Sequence, residues 1–119
     1  MAITGKCRCG ATQFEVSVAP AAVTRCTCSF CSKRGYLWAY YEPSQFKVIS
    51  KRDQARFGDG PNKNFHCGVC ACGTYSESPD WTGGSPDFSK TRIGVNARLF
   101  EDFDLEAVPV KVIDGKNLW

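Results

Sequence analysis

Apolar and polar positions alternate in short runs along the chain. Phe14, Val16 and Val18 fall on one side of an extended segment and Gln13, Glu15 and Ser17 on the other. That period-two pattern predicts a half-buried strand over 11–18, closed by Ala19-Pro20. Val23 to Arg25 continues as extended chain. Tyr36 to Tyr41 is aromatic-rich and predicts a strand stopped by Glu42-Pro43. Phe46, Val48 and Ile49 predict another, as do Gly73–Glu77 and Thr91–Asn96, the latter carrying Ile93 and Val95. Val108, Val110 and Val112 share one face of a last strand, and Pro109, which has no N–H to give a ladder, places it at a sheet edge.

Between these runs the punctuation is equally legible. Ser29 to Gly35 is polar and ends in glycine, which suits a turn or a single helical turn. Gly58-Asp59-Gly60-Pro61-Asn62 predicts a loop. Ser78 to Ser89 is rich in Pro, Gly, Ser and Asp and predicts a long one. No stretch sustains a helical period, so the fold class is all-β.

Composition narrows the class. A chain of 119 residues fits one domain over 1–119 with a modest core that cross-links would help. A net charge of +3, with scattered cations, argues against nucleic-acid binding, since phosphate neutralisation needs clustered Lys and Arg. The pairs Lys33-Arg34 and Lys51-Arg52 could meet an anionic substrate or simply sit in solvated turns. Met1 to Lys6 lacks the apolar run of a signal peptide. No segment approaches the roughly 20 apolar residues of a membrane span. The expectation is a cytoplasmic protein without membrane contact, in a compartment that keeps thiols reduced.

The eight cysteines fall into three groups: Cys7 and Cys9; Cys26, Cys28 and Cys31; Cys67, Cys70 and Cys72. A disulfide across one intervening residue is strained. A tetrahedral cation is not, because Cys-x-Cys and Cys-x-x-Cys let sulfurs converge on an ion about 2.3 Å away. A closed site needs four ligands. Cys7 and Cys9 with Cys67 and Cys70 supply them, tying the first strand to the later half across a loop of about sixty residues. Cys26, Cys28 and Cys31 supply three, the number found where one position stays open for reaction. Zn²⁺ with three thiolates carries a formal charge of about −1. That suits holding an external thiol as a nucleophilic thiolate better than ionising water. Spacing also allows Cys72 to close the middle site, or Cys70 and Cys72 to pair with Cys7 and Cys9.

At these residues the chain resembles a known family. Gly5-x-Cys7-x-Cys9-Gly10-Ala11, Cys26-x-Cys28-x-x-Cys31-x-Lys33 and Cys67-x-x-Cys70 are similar to the motifs of the glutathione-dependent formaldehyde-activating enzymes, a family that includes centromere protein V. Gly94-Val95-Asn96, Val108-Pro109-Val110 and Asp114-Gly115 resemble one bacterial branch. The resemblance implies an Mss4-like fold of small antiparallel sheets organised around two zinc ions per chain. It implies Cys7, Cys9, Cys67 and Cys70 as structural ligands, and Cys26, Cys28 and Cys31 as catalytic ones. It implies a carbon–sulfur lyase joining glutathione to formaldehyde, with a small-molecule thiol and aldehyde as partners. Two positions depart from the pattern: His66 stands where an aromatic residue is usual, and Ala71-Cys72-Gly73 where glycine follows the knuckle directly.

Other residues carry weaker signals. His66, the one histidine, could serve as ligand, donor or acid–base group, or pack as an ordinary side chain. Tyr36, Trp38, Tyr40 and Tyr41 could wall a substrate site or fill the core. Arg25, Lys33 and Arg34 could offset the charge of the middle site or hold a carboxylate. Asn96 and Arg98 have no role readable from sequence, and Trp81 and Trp119 discriminate nothing. The rival to the enzyme is a two-zinc β-domain that binds a protein or nucleic acid.

Overall fold

The computed structural model describes residues 2–57, 60–81 and 83–118, and of residue 57 the backbone alone. Ten strands dominate: β1 (Ile3–Lys6), β2 (Gln13–Val16), β3 (Val23–Cys26), β4 (Trp38–Tyr41), β5 (Phe46–Ser50), β6 (Ala55–Phe57), β7 (Lys63–His66), β8 (Gly73–Asp80), β9 (Asp87–Asn96) and β10 (Val110–Ile113). Two short α-helices, α1 (Ser29–Arg34) and α2 (Gly115–Leu118), and three 3-10 turns at Pro43–Gln45, Ala97–Leu99 and Leu105–Ala107 complete the order. The fold is all-β. Part of the loop expected over 58–62, namely Gly58 and Asp59, lies outside the described residues, as does Trp119.

The strands form a three-stranded sheet, β1-β2-β5, and a seven-stranded sheet, β10-β3-β4-β9-β8-β7-β6. Pairing is antiparallel except at one edge, where β10 runs parallel to β3 with Val110 opposite Val23 and Ile113 opposite Cys26. Both sheets feed one core. Phe14 and Val16 come from the smaller sheet, and Val23, Ala39, Tyr41, Ile93 and Val95 from the larger, with Leu37, Ala97 and Phe100 closing the ends. Each fully buried aliphatic or aromatic side chain contributes about 1.5–3 kcal/mol relative to exposure. Phe14 anchors the cluster, its ring 5.8 Å from Phe46 and 6.1 Å from Phe100.

Strand alternation fixes what lies on the opposite face of the larger sheet. Ala39 and Tyr41 of β4, and Ile93 and Val95 of β9, point into the core. Trp38 and Tyr40 therefore share the other face with Arg92, Gly94 and Asn96 across the ladder, where Trp38 opposes Asn96 and Tyr40 opposes Gly94. On β3, Thr24 opposes Trp38, so Cys26, two residues on, belongs to this same face. The first of the middle cysteines lies there beside the Trp38 and Tyr40 rings.

The structure corrects several sequence expectations. Ser78–Ser89 is not a long loop: β8 runs to Asp80 and β9 begins at Asp87, with Asp80 opposite Asp87. Its pairing rests on the backbone ladder and on local side-chain bonds such as Ser89 to Asp87, with little buried apolar surface. Tyr36 and Leu37 precede β4 rather than opening it. The strand expected over 11–18 is β2, which begins at Gln13 and ends at Val16, leaving Val18 42% exposed. β10 is an edge strand, as Pro109 implies, but its valines face solvent, Val110 at 48% and Val112 at 55% exposure. Among the described residues no helix is long and apolar enough to cross a membrane.

Candidate metal centres

Two of the three cysteine groups lie on tight turns of one design. At the first, the Cys7 amide donates to the Thr12 carbonyl (3.0 Å) and the Gly10 amide to the Cys7 carbonyl (3.0 Å). At the third, the Cys67 amide donates to the Cys72 carbonyl and the Ala71 amide to the Cys67 carbonyl, both at 2.9 Å. Each turn needs one left-handed residue, Gly10 with φ 81° and Ala71 with φ 66°. Glycine takes that conformation freely, while alanine carries a β-carbon penalty of roughly 1–2 kcal/mol. The departure at Ala71 therefore preserves the turn at a local cost.

These turns bring four sulfurs together. Cys7, Cys9, Cys67 and Cys70 have Sγ atoms all within 4.8 Å of one another, with Cys9 3.6 Å from Cys7 and 3.7 Å from Cys67. Tetrahedral zinc with bonds of about 2.3 Å sets neighbouring sulfurs about 3.8 Å apart, so the donor set and its spacing fit that ion. Backbone amides point at the sulfurs: Thr12 N–H to Cys7 (3.3 Å), Val69 N–H to Cys67 (3.3 Å) and Cys70 N–H to Cys67 (3.5 Å). Against the cost of burial, amide hydrogen bonds from Cys72 and Cys9 bring the Cys70 thiol down to about 6. Such donors favour thiolates, the ligand form.

The middle group is built differently. Cys26 ends β3. Cys28 is the N-cap of α1, and its sulfur accepts from the Cys31 amide at 3.4 Å. Cys31 sits one turn in. The helix is short because Gly35, with φ 68°, closes it. Lys33 and Arg34 occupy its last turn, where cations complement the dipole. The three Sγ atoms lie within 4.8 Å of one another, and among the described residues no fourth His, Cys, Asp or Glu joins them. The indole N–H of Trp38 donates to Cys31 Sγ at 3.4 Å. Burial pushes the Cys31 thiol up to about 12, with the Trp38 indole pulling the other way. Cys28 is held below the ordinary thiol range despite its burial, chiefly by the Cys31 amide.

Cys72 does not close the trio. It joins neither sulfur group, and its electrostatic neighbours are Cys70 and Cys7. It lines a cleft of about 450 Å³ with Phe30, Arg34, Tyr36 and His66. His66 also lines that cleft, with Nδ1 3.1 Å from the Cys67 carbonyl. Tyr36 and Trp38 stack with centroids 4.2 Å apart, and Phe30 continues the stack at 5.8 Å from Tyr36. Tyr41 is core, its hydroxyl donating to Val18 O at 2.9 Å. Arg34 lies over the Phe30 ring; Arg25 and Lys33 are exposed.

Asn96 and Arg98 gain a role that sequence did not offer. Asn96 is buried, its amide donating to the Gly73 carbonyl at 2.9 Å and its Oδ1 accepting from Arg98 N at 3.3 Å. Arg98 Nε donates to the Gly35 carbonyl at the end of α1. The end of β9 is thus tied both to the turn that carries Cys67, Cys70 and Cys72 and to the helix that carries Cys28 and Cys31.

The chain is all-β, with one four-sulfur and one three-sulfur cluster that could each hold a metal ion. The glutathione-dependent formaldehyde-activating enzyme family matches residues 2–104, and the chain belongs to that family. A crystal structure of a Rhodobacter sphaeroides protein is similar, with a TM-score of 0.70 and 26% identity, covering 91% of this chain and 99% of that one. No curated protein matches.

Proposed function

We propose that the chain is a zinc-dependent carbon–sulfur lyase that condenses a thiol, glutathione foremost, with formaldehyde or a similar small aldehyde in the cytoplasm. Cys7, Cys9, Cys67 and Cys70 would hold a structural zinc, and Cys26, Cys28 and Cys31 a catalytic one. The observation that carries this reading is the unequal pair of clusters, four sulfurs in one and three in the other. Family membership points the same way.

When bound at the trio, zinc supplies the positive charge that keeps thiols ionised at neutral pH. The protein's own part is positional. The Cys31 amide and the Trp38 indole fix Cys28 and Cys31 by hydrogen bonds to their sulfurs. Such bonds also spread thiolate charge, which leaves the trio able to admit another sulfur. In the reaction the substrate thiol loses its proton, its sulfur forms a bond to the aldehyde carbon, and the carbonyl oxygen takes up a proton. The product is a hydroxymethyl thioether, and the reverse step returns thiol and aldehyde.

The test is metal content together with turnover. The native protein and Cys72→Ser should each carry two zinc ions per chain, counted against the two clusters, and should consume formaldehyde in the presence of glutathione. Cys28→Ser should lose one zinc and all turnover. Native protein fully loaded with zinc but inert toward both substrates would sink the reading.

A further inference from the structure

Arg92 takes no part in the proposed chemistry, and its setting is unusual. It lies on β9, on the face of the larger sheet shared with Trp38 and Tyr40. Its guanidinium carbon sits 4.0 Å above the centre of the Tyr40 ring. Among the described residues it makes no ion pair, and its Nε is buried without a hydrogen-bond partner. A half-buried guanidinium with an unsatisfied donor is costly unless something else supplies the acceptor. Arg34, by contrast, lies over Phe30 and donates to the Phe30 carbonyl.

Arg92 also borders open space. With Tyr40, Tyr41, Glu42, Gln45, Asp80 and Thr91 it lines a cleft of about 410 Å³. Glu42 and Asp80 on that lining place carboxylates nearby. β4 connects the cleft lining at Tyr40 with Trp38 beside the trio. Trp38 touches Cys31 through its indole, and Tyr40, two residues further on the same face, lies about 7 Å along the strand. A thiol tripeptide spans about 10 Å when extended. A peptide of that size with its sulfur at the trio therefore brings a terminal carboxylate to the guanidinium on Tyr40.

We infer that Arg92, held flat against Tyr40, is the specificity residue that receives a carboxylate of the thiol co-substrate at the trio. This rests on the thiol–aldehyde reading above. The ring face pre-orients the guanidinium, so little side-chain freedom is lost on binding. The planar fork matches a carboxylate by two parallel hydrogen bonds. Small thiols without a carboxylate gain nothing from Arg92, so the residue sets which thiol is taken without touching the reacting atoms.

The experiment is a binding titration of zinc-loaded protein with glutathione and with glutathione diethyl ester, whose carboxylates are masked. Native protein should bind glutathione at least tenfold more tightly than the diester, and added salt should narrow that gap. Arg92→Gln should abolish the preference while leaving diester affinity and zinc content unchanged. Arg92→Lys, which keeps the charge but loses the fork, should retain part of it; it also serves if the glutamine variant folds poorly. Equal binding of the two ligands by native protein, or a preference that survives in both variants, overturns the assignment. Glutathione bound with the expected preference but without formaldehyde consumption leaves Arg92 in place and removes the lyase reading instead.

Discussion

Tyr36 stands where residue 73 has no side chain. Its hydroxyl and ring edge occupy the position that a β-carbon on Gly73 would take. Because Tyr36 stacks on Trp38, and Trp38 donates to Cys31, the turn of the third cysteine group presses directly on the support of the second. Gly73→Ala must push Tyr36 out of this stack. Overpacking of this kind costs about 1–3 kcal/mol. Urea denaturation should show that loss, accompanied by weaker zinc retention at the trio; an unchanged midpoint would mean the ring slips aside freely.

Asn96 holds the same junction by hydrogen bonds. Its replacement by alanine leaves the Gly73 carbonyl and the Arg98 amide without their partner in a buried setting. The expected cost is about 1–3 kcal/mol. Asn96→Asp keeps the acceptor for Arg98 but buries a carboxylate facing the Gly73 carbonyl, so at neutral pH it should cost at least as much as Asn96→Ala in a denaturant series.

The two cysteine clusters should answer differently to substitution. Cys9 joins segments 58 residues apart through its contact with Cys67, so Cys9→Ser opens a long loop, and its loss takes metal-linked folding energy with it. Cys28 lies within a six-residue stretch and closes no long loop. Thermal melts followed by circular dichroism should show a large drop in Tm for Cys9→Ser and a modest one for Cys28→Ser, with turnover lost in both. Matching drops would mark both clusters as purely structural.

Tyr41 predicts the alkaline limit of stability. Burial raises its pKa to about 12 from the ordinary value of 10.0, and its hydroxyl donates to Val18 O. Above the unfolded value the unfolded chain releases the proton while the folded chain retains it. Stability from this group is therefore complete below pH about 10 and is lost as pH rises toward about 12. Urea midpoints from pH 9 to 12 should fall across that window, and Tyr41→Phe should lessen the fall, with Tyr36, Tyr40 and Tyr75, whose pKa values burial also raises, contributing to what remains. At pH 8 the same variant should cost about 0.5–1.5 kcal/mol for the missing hydrogen bond.

Local pattern made much of this architecture readable. Phe14 and Val16 announced β2 because both are fully buried and alternate with polar neighbours. Ile93 and Val95 did the same for β9, and the cysteine spacing allowed the sulfur grouping seen here as one of several. Signals failed where pairing is not driven by burial. Residues 87–91 of β9 are exposed, so nothing in their polarity distinguished strand from loop. β1, β6 and β7 are three or four residues long, too short for a period to emerge. Arg92 and Asn96 were opaque for another reason: their meaning depends on which strands become neighbours, as when Tyr40 meets Gly94 across the ladder. Cys72 had spacing suited to several partners, and only the path of the third turn settles that it stands apart from the trio.

The parallel ladder between β3 and β10 has a consequence for how the protein is made. Thr27, just beyond Cys26, is anchored to Ile113 and Lys116, up to 89 positions later. During synthesis the strand that ends in Cys26 thus emerges long before its outer neighbour exists. Its flank stays bare in the nascent chain, and that interval is when these three thiols are most open to oxidants and to capture by the wrong ion.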